Sequence, residues 1–285
     1  MIRRASEFEL SDSEFARIRK RVYREAGISL SEEKRTLVVV RLAKILRSRG
    51  NDSFDEYLDD LERGSVPEAQ EFINALTTNL TRFWREAHHF DHLVEYVGGI
   101  VRTRGGGNMP RRLRIWSAGC STGQEPYSIA LSLLNAYPEL KRWDFRILAT
   151  DIDTNVIARA AAGSYSDSEL NELPIERARL FERSENGHIR VPTEAKRIVS
   201  FKPLNLLGEW PMKGKFDAIF CRNVAIYFDK PTQAAVFTRL AAALQPGGML
   251  YVGHSENLGL VSSGFRLVGK TVYQARETQL ARSTA

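Results

Sequence analysis

Long apolar runs are missing from this sequence. None approaches the ~20 residues that a bilayer-spanning helix requires. The opening stretch, MIRRASEFELSDSEF, holds no apolar signal core, so the cytoplasm is expected rather than secretion. Cysteine is scarce, with only Cys120 and Cys221 in 285 residues. They are not in CxxC spacing, and both fall at or near expected strand ends. That pattern suits a buried, reduced pair better than a disulfide framework. HExxH and His/Cys clusters are also absent. His88 and His89 are adjacent, so on a helix they point about 100° apart, a poor geometry for chelation. No metal is expected.

Two phosphate-binding signatures are missing as well. The stretch at 114–128, RIWSAGCSTGQEPYS, has the small residues of a nucleotide loop between a strand and a helix. Its glycines, Gly119 and Gly123, are too close together for a P-loop, and Gln124-Glu125 stands where Lys-Ser/Thr is needed. Glu125 would repel a triphosphate. Cys120 and Ser121 interrupt any G-x-G-x-x-G dinucleotide fingerprint. The remaining reading is a loop that lets a ligand approach the backbone, with an acid beside it. That suits a nucleoside bearing a positive charge. An ordinary tight strand–helix turn fits the loop alone equally well. The N/D-P-P-[YF] signature of amino-group methylation is absent too, which weighs against an adenine or glutamine target.

What is present describes an ordinary globular chain, 43% hydrophobic and 27% charged. The net charge of +6 hints at an acidic partner: nucleic acid, an anionic membrane or an acidic protein.

The chain divides into two halves. Residues 11–104 read as helices with recognisable starts and stops. Ser11 or Ser13 caps one reaching about Arg24. Ser31 precedes a second over Lys34–Ser48, ending near Gly50. Ser53 opens a third, Phe54–Leu61, stopped by Gly64. Pro67 lies in the first turn of a fourth that reaches about Leu76, and a fifth runs from about Arg85 to Arg102. A turn-rich junction, Arg104-Gly-Gly-Gly-Asn-Met-Pro110, follows. Beyond it strands at Leu113–Trp116, Phe145–Ala149, Phe216–Cys221 and Met249–Val252 alternate with helices at Tyr127–Asn135, Thr154–Ala162 and Thr232–Leu244. Pro246-Gly-Gly248 reads as a turn, and FRLVGKTVYQAR as a terminal strand pair. Alternation of this kind implies a parallel sheet with helices on both faces. Between Gly163 and Asn205 the rhythm breaks. Asn186-Gly187 signals a hairpin, with strands at His188–Val191 and Ile198–Phe201, so a small antiparallel insert is expected. The expected fold class is α/β, a Rossmann-like sheet domain over 111–285 with a β insert at about 164–204. An all-α domain at 1–84 and a linker helix and junction at 85–110 precede it.

In open parallel sheets ligands bind at the carboxyl ends of the strands. Asp151 ends the second strand, where an acid accepts ribose hydroxyls. Asp153 competes for that task but better fits the cap of helix 154–162. Arg222-Asn223 follows a later strand into the same crevice. Glycine loop, ribose acid and polar residues together fit S-adenosylmethionine. Helix 31–49 carries Arg41, Lys44 and Arg47 at i, i+3, i+6 beside its apolar face, with RIRKR at 17–21 adding charge. Such a run is a solvated face or a docking stripe.

At this point the residues resemble the CheR-type chemotaxis receptor methyltransferases. The resemblance covers nearly the whole chain. It rests on INALTTNLTRFWREAHHF at 73–90, IWSAGCSTGQEPYSIA at 115–130, ATDIDT at 149–154, FDAIFCRNVAIYFDK at 216–230 and LQPGGMLYVGHSENL at 244–258. It implies methyl transfer from S-adenosylmethionine to glutamates on the cytoplasmic coiled coil of chemoreceptors, leaving glutamyl methyl esters and S-adenosylhomocysteine. By motif it places cofactor contacts on Asn79, Thr81, Arg85, Glu125, Asp151, Asn205, Leu206, Arg222 and Asn223. Tyr227 is implied as the active-site tyrosine, with Arg85 beside it facing the ligand's carboxylate or the incoming glutamate. Chemoreceptor methylation helices are the expected partner, met by Arg41, Lys44 and Arg47; nucleic acid and membrane insertion are not expected, and a monomer is. Arg82 and Trp84 depart from the family pattern. So does the hairpin tip in FERSENGHIRV, about three residues short, which argues against tethering to a receptor's C-terminal peptide. The two competing classes are a nucleic-acid methyltransferase, suggested by the basic charge, and a non-catalytic S-adenosylmethionine sensor.

Overall fold

The computed structural model describes residues 8–64, 66–107, 109–184, 186–258 and 264–276. The N-terminal half is helical: α1 (Asp12–Ala26), α2 (Arg35–Arg49), α3 (Phe54–Arg63), α4 (Val66–Leu76) and α5 (His88–Gly105). The caps explain the boundaries. Ser11 rather than Ser13 caps α1, accepting from the Glu14 N–H while the Glu14 carboxylate accepts from Ser11 N–H. Gly27 closes α1 in the left-handed conformation, at φ 69°. A single 3-10 turn, Glu32–Lys34, leads into α2, so the regular helix starts one residue later than its sequence pattern suggests. Ser53 caps α3. The apolar faces of α1–α4 converge on one core, in which Phe15, Ile18, Val22, Leu42, Phe54 and Phe72 are buried, whereas α5 packs Phe90, Leu93 and Val97 into the core of the sheet.

Two expectations about this half need correction. The fifth helix does not begin at Arg85. Trp84 and Glu86 adopt positive φ, 47° and 58°, so 83–87 is a chain of turns and α5 starts at His88. The basic stripe on α2 is also not uniform. The Arg41 guanidinium points inward and donates to the carbonyls of Leu76 and Thr77 at 2.9 and 2.6 Å, with the Thr78 hydroxyl at 3.2 Å. It satisfies the open carbonyl end of α4 instead of facing a partner. Lys44 and Arg47 are exposed. The RIRKR stretch contributes less free charge than its sequence suggests. Arg17 is paired with Asp55, Asp59 and Glu62, and Arg21 with Glu25.

The second half is a seven-stranded sheet. Its strands are β1 (Arg112–Ala118), β2 (Asp144–Asp151), β6 (Val199–Pro203), β7 (Phe216–Phe220), β8 (Leu244–Tyr251), β9 (Phe265–Gly269) and β10 (Val272–Ala275). Their order is β6-β2-β1-β7-β8-β10-β9. The first five run parallel; β10 pairs antiparallel with β8 and with β9. Helices α6 (Gln124–Ala136), α7 (Thr154–Ala162) and α10 (Lys230–Ala243) make the crossovers. Strand order reverses beside β1, with β2 on one side and β7 on the other, so the crevice opens above β1. The Pro246-Gly-Gly248 turn lies within β8 as an interruption of its pairing with β7, with Gly247 at φ 74°.

The insert is smaller than expected. A three-stranded antiparallel sheet holds β3 (Ser164–Ser166), β4 (Glu182–Arg183) and β5 (His188–Arg190), in the order β3-β5-β4. One helical turn, α8 (Ile175–Ala178), lies within it. The strand expected at 198–201 does form, but as β6, parallel to β2 with Val199 opposite Ile147. After α9 (Thr193–Ile198) the chain has returned to the main sheet.

Removing the Arg41 head group is expected to destabilise the fold. Losing charge-assisted bonds to exposed-end carbonyls costs about 1–2 kcal/mol, so Arg41→Ala should lower the urea unfolding free energy by that amount. A variant as stable as the parent would return Arg41 to the docking stripe.

Candidate functional site

A cleft opens at the carboxyl ends of β1, β2, β6 and β7 and is closed from the other side by the α1–α2 connection and residues 76–85. Both halves of the chain build it. Its floor is the glycine loop after β1. The N–H groups of Gly119 and Cys120 both donate to the Thr150 carbonyl, at 2.8 and 2.9 Å, which locks this loop to the end of β2. Gly119 sits at φ 88°, and a Cβ there would lie 2.2 Å from the Val224 side chain. Gly123 sits at φ 96°, with Ala160 of α7 within 3 Å of where its Cβ would be. Conformation and close approach both require glycine here.

Asp151 ends β2 and is buried. Its carboxylate accepts from the N–H of Ser121 at 2.8 Å and of Asp153 at 3.0 Å. Burial pushes its carboxyl up, against the opposing pull of those N–H groups. Each oxygen retains acceptor capacity toward the cleft, which fits a pair of ribose hydroxyls. Asp153 caps α7 as expected, accepting from Asn155 and Val156. It also accepts from the Thr77 hydroxyl and the Asn79 amide, each at 2.7 Å.

Glu125 lies buried in the first turn of α6. One oxygen accepts from the Ser117 hydroxyl at 2.7 Å; the other meets Arg222 at 3.0 Å. Burial raises its carboxyl above the ordinary range, and Arg222 pulls it back down. Arg222 also reaches Glu86 at 3.3 Å and donates to the Arg85 carbonyl. One buried guanidinium therefore serves two acids and a backbone oxygen.

The structure brings the candidate cofactor residues to this one cleft. Asn79, Thr81, Arg85, Glu125, Asp151 and Asn205 line it, as do Leu206, Arg222, Asn223 and Tyr227. Several are partly committed already. Asn79 bonds Asp153, and its carbonyl accepts from Ser121. Asn205 donates to the Glu25 carbonyl at 2.6 Å and accepts from Leu207 N–H. Arg85 spends one nitrogen on the Leu80 carbonyl at 3.0 Å. Tyr227 is half-buried, and its carbonyl accepts from Ser29 N–H across the domain boundary. Arg41, Lys44 and Arg47 are not among the lining residues, although Lys34 and Leu37 beside them are. Arg82 is exposed and paired with Glu172, while Trp84 is buried and donates its indole N–H to Ser132.

Two residues that support the lining of this site carry no signal in the sequence. Glu86 pairs with Arg222, and Glu256 collects the N–H groups of 223–225. Both lie inside stretches that carry the family resemblance, but an acid's role as a backbone or arginine partner leaves no spacing signature. Cys120 and Cys221 are free and buried, with thiols pushed well up by burial. Among the described residues no group of His, Cys, Asp and Glu is arranged to hold a metal ion, and no helix is long and apolar enough to cross a membrane.

Comparison with known proteins gives concordant matches. The family model for the CheR methyltransferase SAM-binding domain matches residues 79–274, and that for the CheR all-alpha domain matches 13–77. A chemotaxis protein methyltransferase of Klebsiella aerogenes is 47% identical, over 94% of this chain and 91% of that protein. The chemotaxis protein methyltransferase of Escherichia coli is 45% identical, over 93% and 91%. Chemotaxis protein methyltransferase 2 of Pseudomonas aeruginosa is 44% identical, over 94% of each.

The buried acids set the expected pH response of S-adenosylmethionine binding. Their carboxyls are raised, so they take up protons at higher pH than ordinary carboxylates, and a protonated acid no longer favours a cationic ligand. Affinity should therefore fall on acidification from neutral pH, beginning above the ordinary carboxylate range, and Asp151→Ala should weaken it by about 1–3 kcal/mol at neutral pH. Titration calorimetry across that range checks both; affinity that stays flat through the acid range, or is unchanged in a folded Asp151→Ala, would contradict them.

Proposed function

The chain belongs to the CheR family of S-adenosylmethionine-dependent chemotaxis methyltransferases, and on that premise we propose that its substrate is the glutamate side chain of chemoreceptor methylation helices. The product is then a glutamyl methyl ester. The observation that carries this reading is the placement of Arg85 and Tyr227 in the same cleft as Asp151 and Glu125. A cation and a phenol thus stand where a carboxylate can arrive beside the cofactor's acids.

S-adenosylmethionine supplies a methyl group on a positively charged sulfur. The residues of this chain have little proton chemistry to do. A glutamate with a pKa near 4.3 is more than ~99% ionised at pH 7, so the nucleophile needs no base. With that group bound, the sulfur's positive charge and the carboxylate's negative charge would neutralise each other in the transition state, which a drier cleft would favour. Positioning and exclusion of water are then the protein's main contributions. Asp151 would hold the ribose, and Glu125 with Arg222 would hold the amino-acid end. Arg85 keeps guanidinium N–H groups beyond the one bound to Leu80 for a carboxylate. The Tyr227 hydroxyl has no partner among the described residues, which leaves it for the incoming glutamate.

Recognition of the receptor helix falls to the rim. Lys34 and Leu37 line the cleft mouth, and Lys44 and Arg47 extend an exposed basic face along α2. Glutamate-bearing helices supply the opposite charge. Individually such pairs contribute up to ~1 kcal/mol and act mostly on encounter and register.

The decisive experiment uses radiolabelled S-adenosylmethionine and receptor cytoplasmic domains, followed by base. Esters release volatile methanol; base-stable label would refute the proposed acceptor. Tyr227→Phe should lower kcat at least tenfold, about 1.4 kcal/mol, with cofactor affinity near the parent's. Loss of cofactor affinity alone would assign Tyr227 to the cofactor pocket instead. Lys44→Glu should raise the KM for receptor and flatten its salt dependence without touching cofactor binding. Parental receptor kinetics in that variant would place recognition elsewhere.

A further inference from the structure

Glu256 is a buried carboxylate held by backbone groups. It is 5% exposed, and burial pushes its carboxyl up while the surrounding N–H groups draw it down. One oxygen accepts from the N–H of Val224 and Ala225 at 3.0 and 2.7 Å. The other accepts from Asn223 and Gly253 at 2.8 and 2.6 Å. Four donors saturate a carboxylate's lone-pair directions, and no neutral side chain can accept four bonds in this fork.

The amides so gathered belong to the segment that faces the substrate. Asn223 is held at φ 58°, in the left-handed region that asparagine adopts more readily than other non-glycine residues. The Ala225 N–H opens the one-turn helix Ala225–Tyr227. The same hydrogen-bonded group fixes Gly253 so closely to Asn223 that a Cβ there would lie 2.5 Å from its amide nitrogen. Val224, between them, packs on Gly119 of the cofactor loop. Beyond the turn, Gln233 donates to the carbonyls of Ala225 and Phe228, and Ser29 to that of Tyr227. Those bonds secure the carbonyl side of the turn. Among the described residues, Glu256 is the group that takes the N–H bonds of 223–225.

We propose that Glu256 is a positioning residue for methyl transfer: its carboxylate fixes the turn that presents Tyr227 to the glutamate. The proposal rests on the reading of Tyr227 given above. Glu256 touches neither substrate nor cofactor and acts through the turn.

A double-mutant cycle tests it. Glu256→Gln keeps the size but replaces one acceptor oxygen with an N–H donor, so two of the four bonds become donor against donor. Glu256→Asp keeps the charge and withdraws it by one methylene, and serves if the glutamine variant fails to fold. The kcat for receptor methylation, normalised to folded protein, is measured for each in the parent and in Tyr227→Phe. Positioning through Tyr227 predicts a loss of roughly tenfold or more in the parent and less than about threefold in Tyr227→Phe, because the hydroxyl being positioned is already gone. A purely structural role would give equal losses in both backgrounds and would overturn the proposal while leaving Tyr227 its role. Parental turnover in Tyr227→Phe itself would overturn both together.

Discussion

The site depends on one buried guanidinium. Arg222 projects from the end of β7 between Glu125 of α6 and Glu86 of the 83–87 turn, and it donates to the Arg85 carbonyl. A buried charge is tolerable only when paired and hydrogen-bonded; removing one partner of such a pair typically costs about 3–5 kcal/mol. That penalty makes the position of each member conditional on the others. It also explains how two positive-φ residues, Trp84 and Glu86, persist in so short a turn. The Trp84 N–H is taken by Ser128 of α6, and the Glu86 carboxylate by Arg222. The turn is thus stapled to the sheet domain twice, and Arg85 is left between the staples facing the cleft.

The helical domain is joined to the sheet by polar contacts on both flanks of the same cleft. On one flank Asn74, Thr77 and Asn79 bind Thr154 and Asp153. On the other, Asn205 binds the Glu25 carbonyl, Ser29 the Tyr227 carbonyl, and Tyr23 the Asp229 carboxylate. Apolar contact joins them as well: Ile152 packs on the helical core, and the Leu207 and Phe228 side chains lie against Gly27 at the end of α1. This polar interface has the usual character of contacts between domains. It places Asp153 in two roles, cap of α7 and anchor of the 77–79 segment, so the end of β2 at Asp151 and the helical wall share one support.

Much of this arrangement is legible in the amino-acid sequence. Caps and stops announce themselves locally: Ser53 and Gly50 each sit where backbone chemistry demands them, and Ser11 is one of the two candidates offered for α1. Asp151 can be located because a strand end is a fixed place in a parallel sheet. What is not legible depends on contacts far apart in the chain. The i, i+3, i+6 pattern of Arg41, Lys44 and Arg47 describes one face of a helix, yet says nothing of α4, whose open carbonyls capture Arg41. The residues at 198–201 announce a strand but not its neighbour: β-propensity does not reveal whether β6 pairs with the insert or with β2. The start of α5 lies later than periodicity across 85–102 suggests, because that pattern cannot register two residues driven to positive φ by tertiary bonds. Glu86 and Glu256 are silent as site residues for the same reason, since their partners are assembled only by folding.

The charge arrangement has a consequence for the reaction itself. Acids that stabilise a cationic ligand do not thereby accelerate transfer, because the positive charge on sulfur fades toward the transition state. An unshielded carboxylate beside the sulfur would hold the reactant more firmly than the transition state and slow the step. In this cleft the buried acids are already answered by the protein: Glu125 by Arg222 and Ser117, Asp151 by two backbone N–H groups. Their fields are strong at short range, where a hydroxyl or an ammonium group binds, and weak further away. Binding affinity and the barrier to methyl transfer are thereby separated. The same carboxylates can hold the cofactor's periphery while leaving the charge cancellation at its centre unopposed.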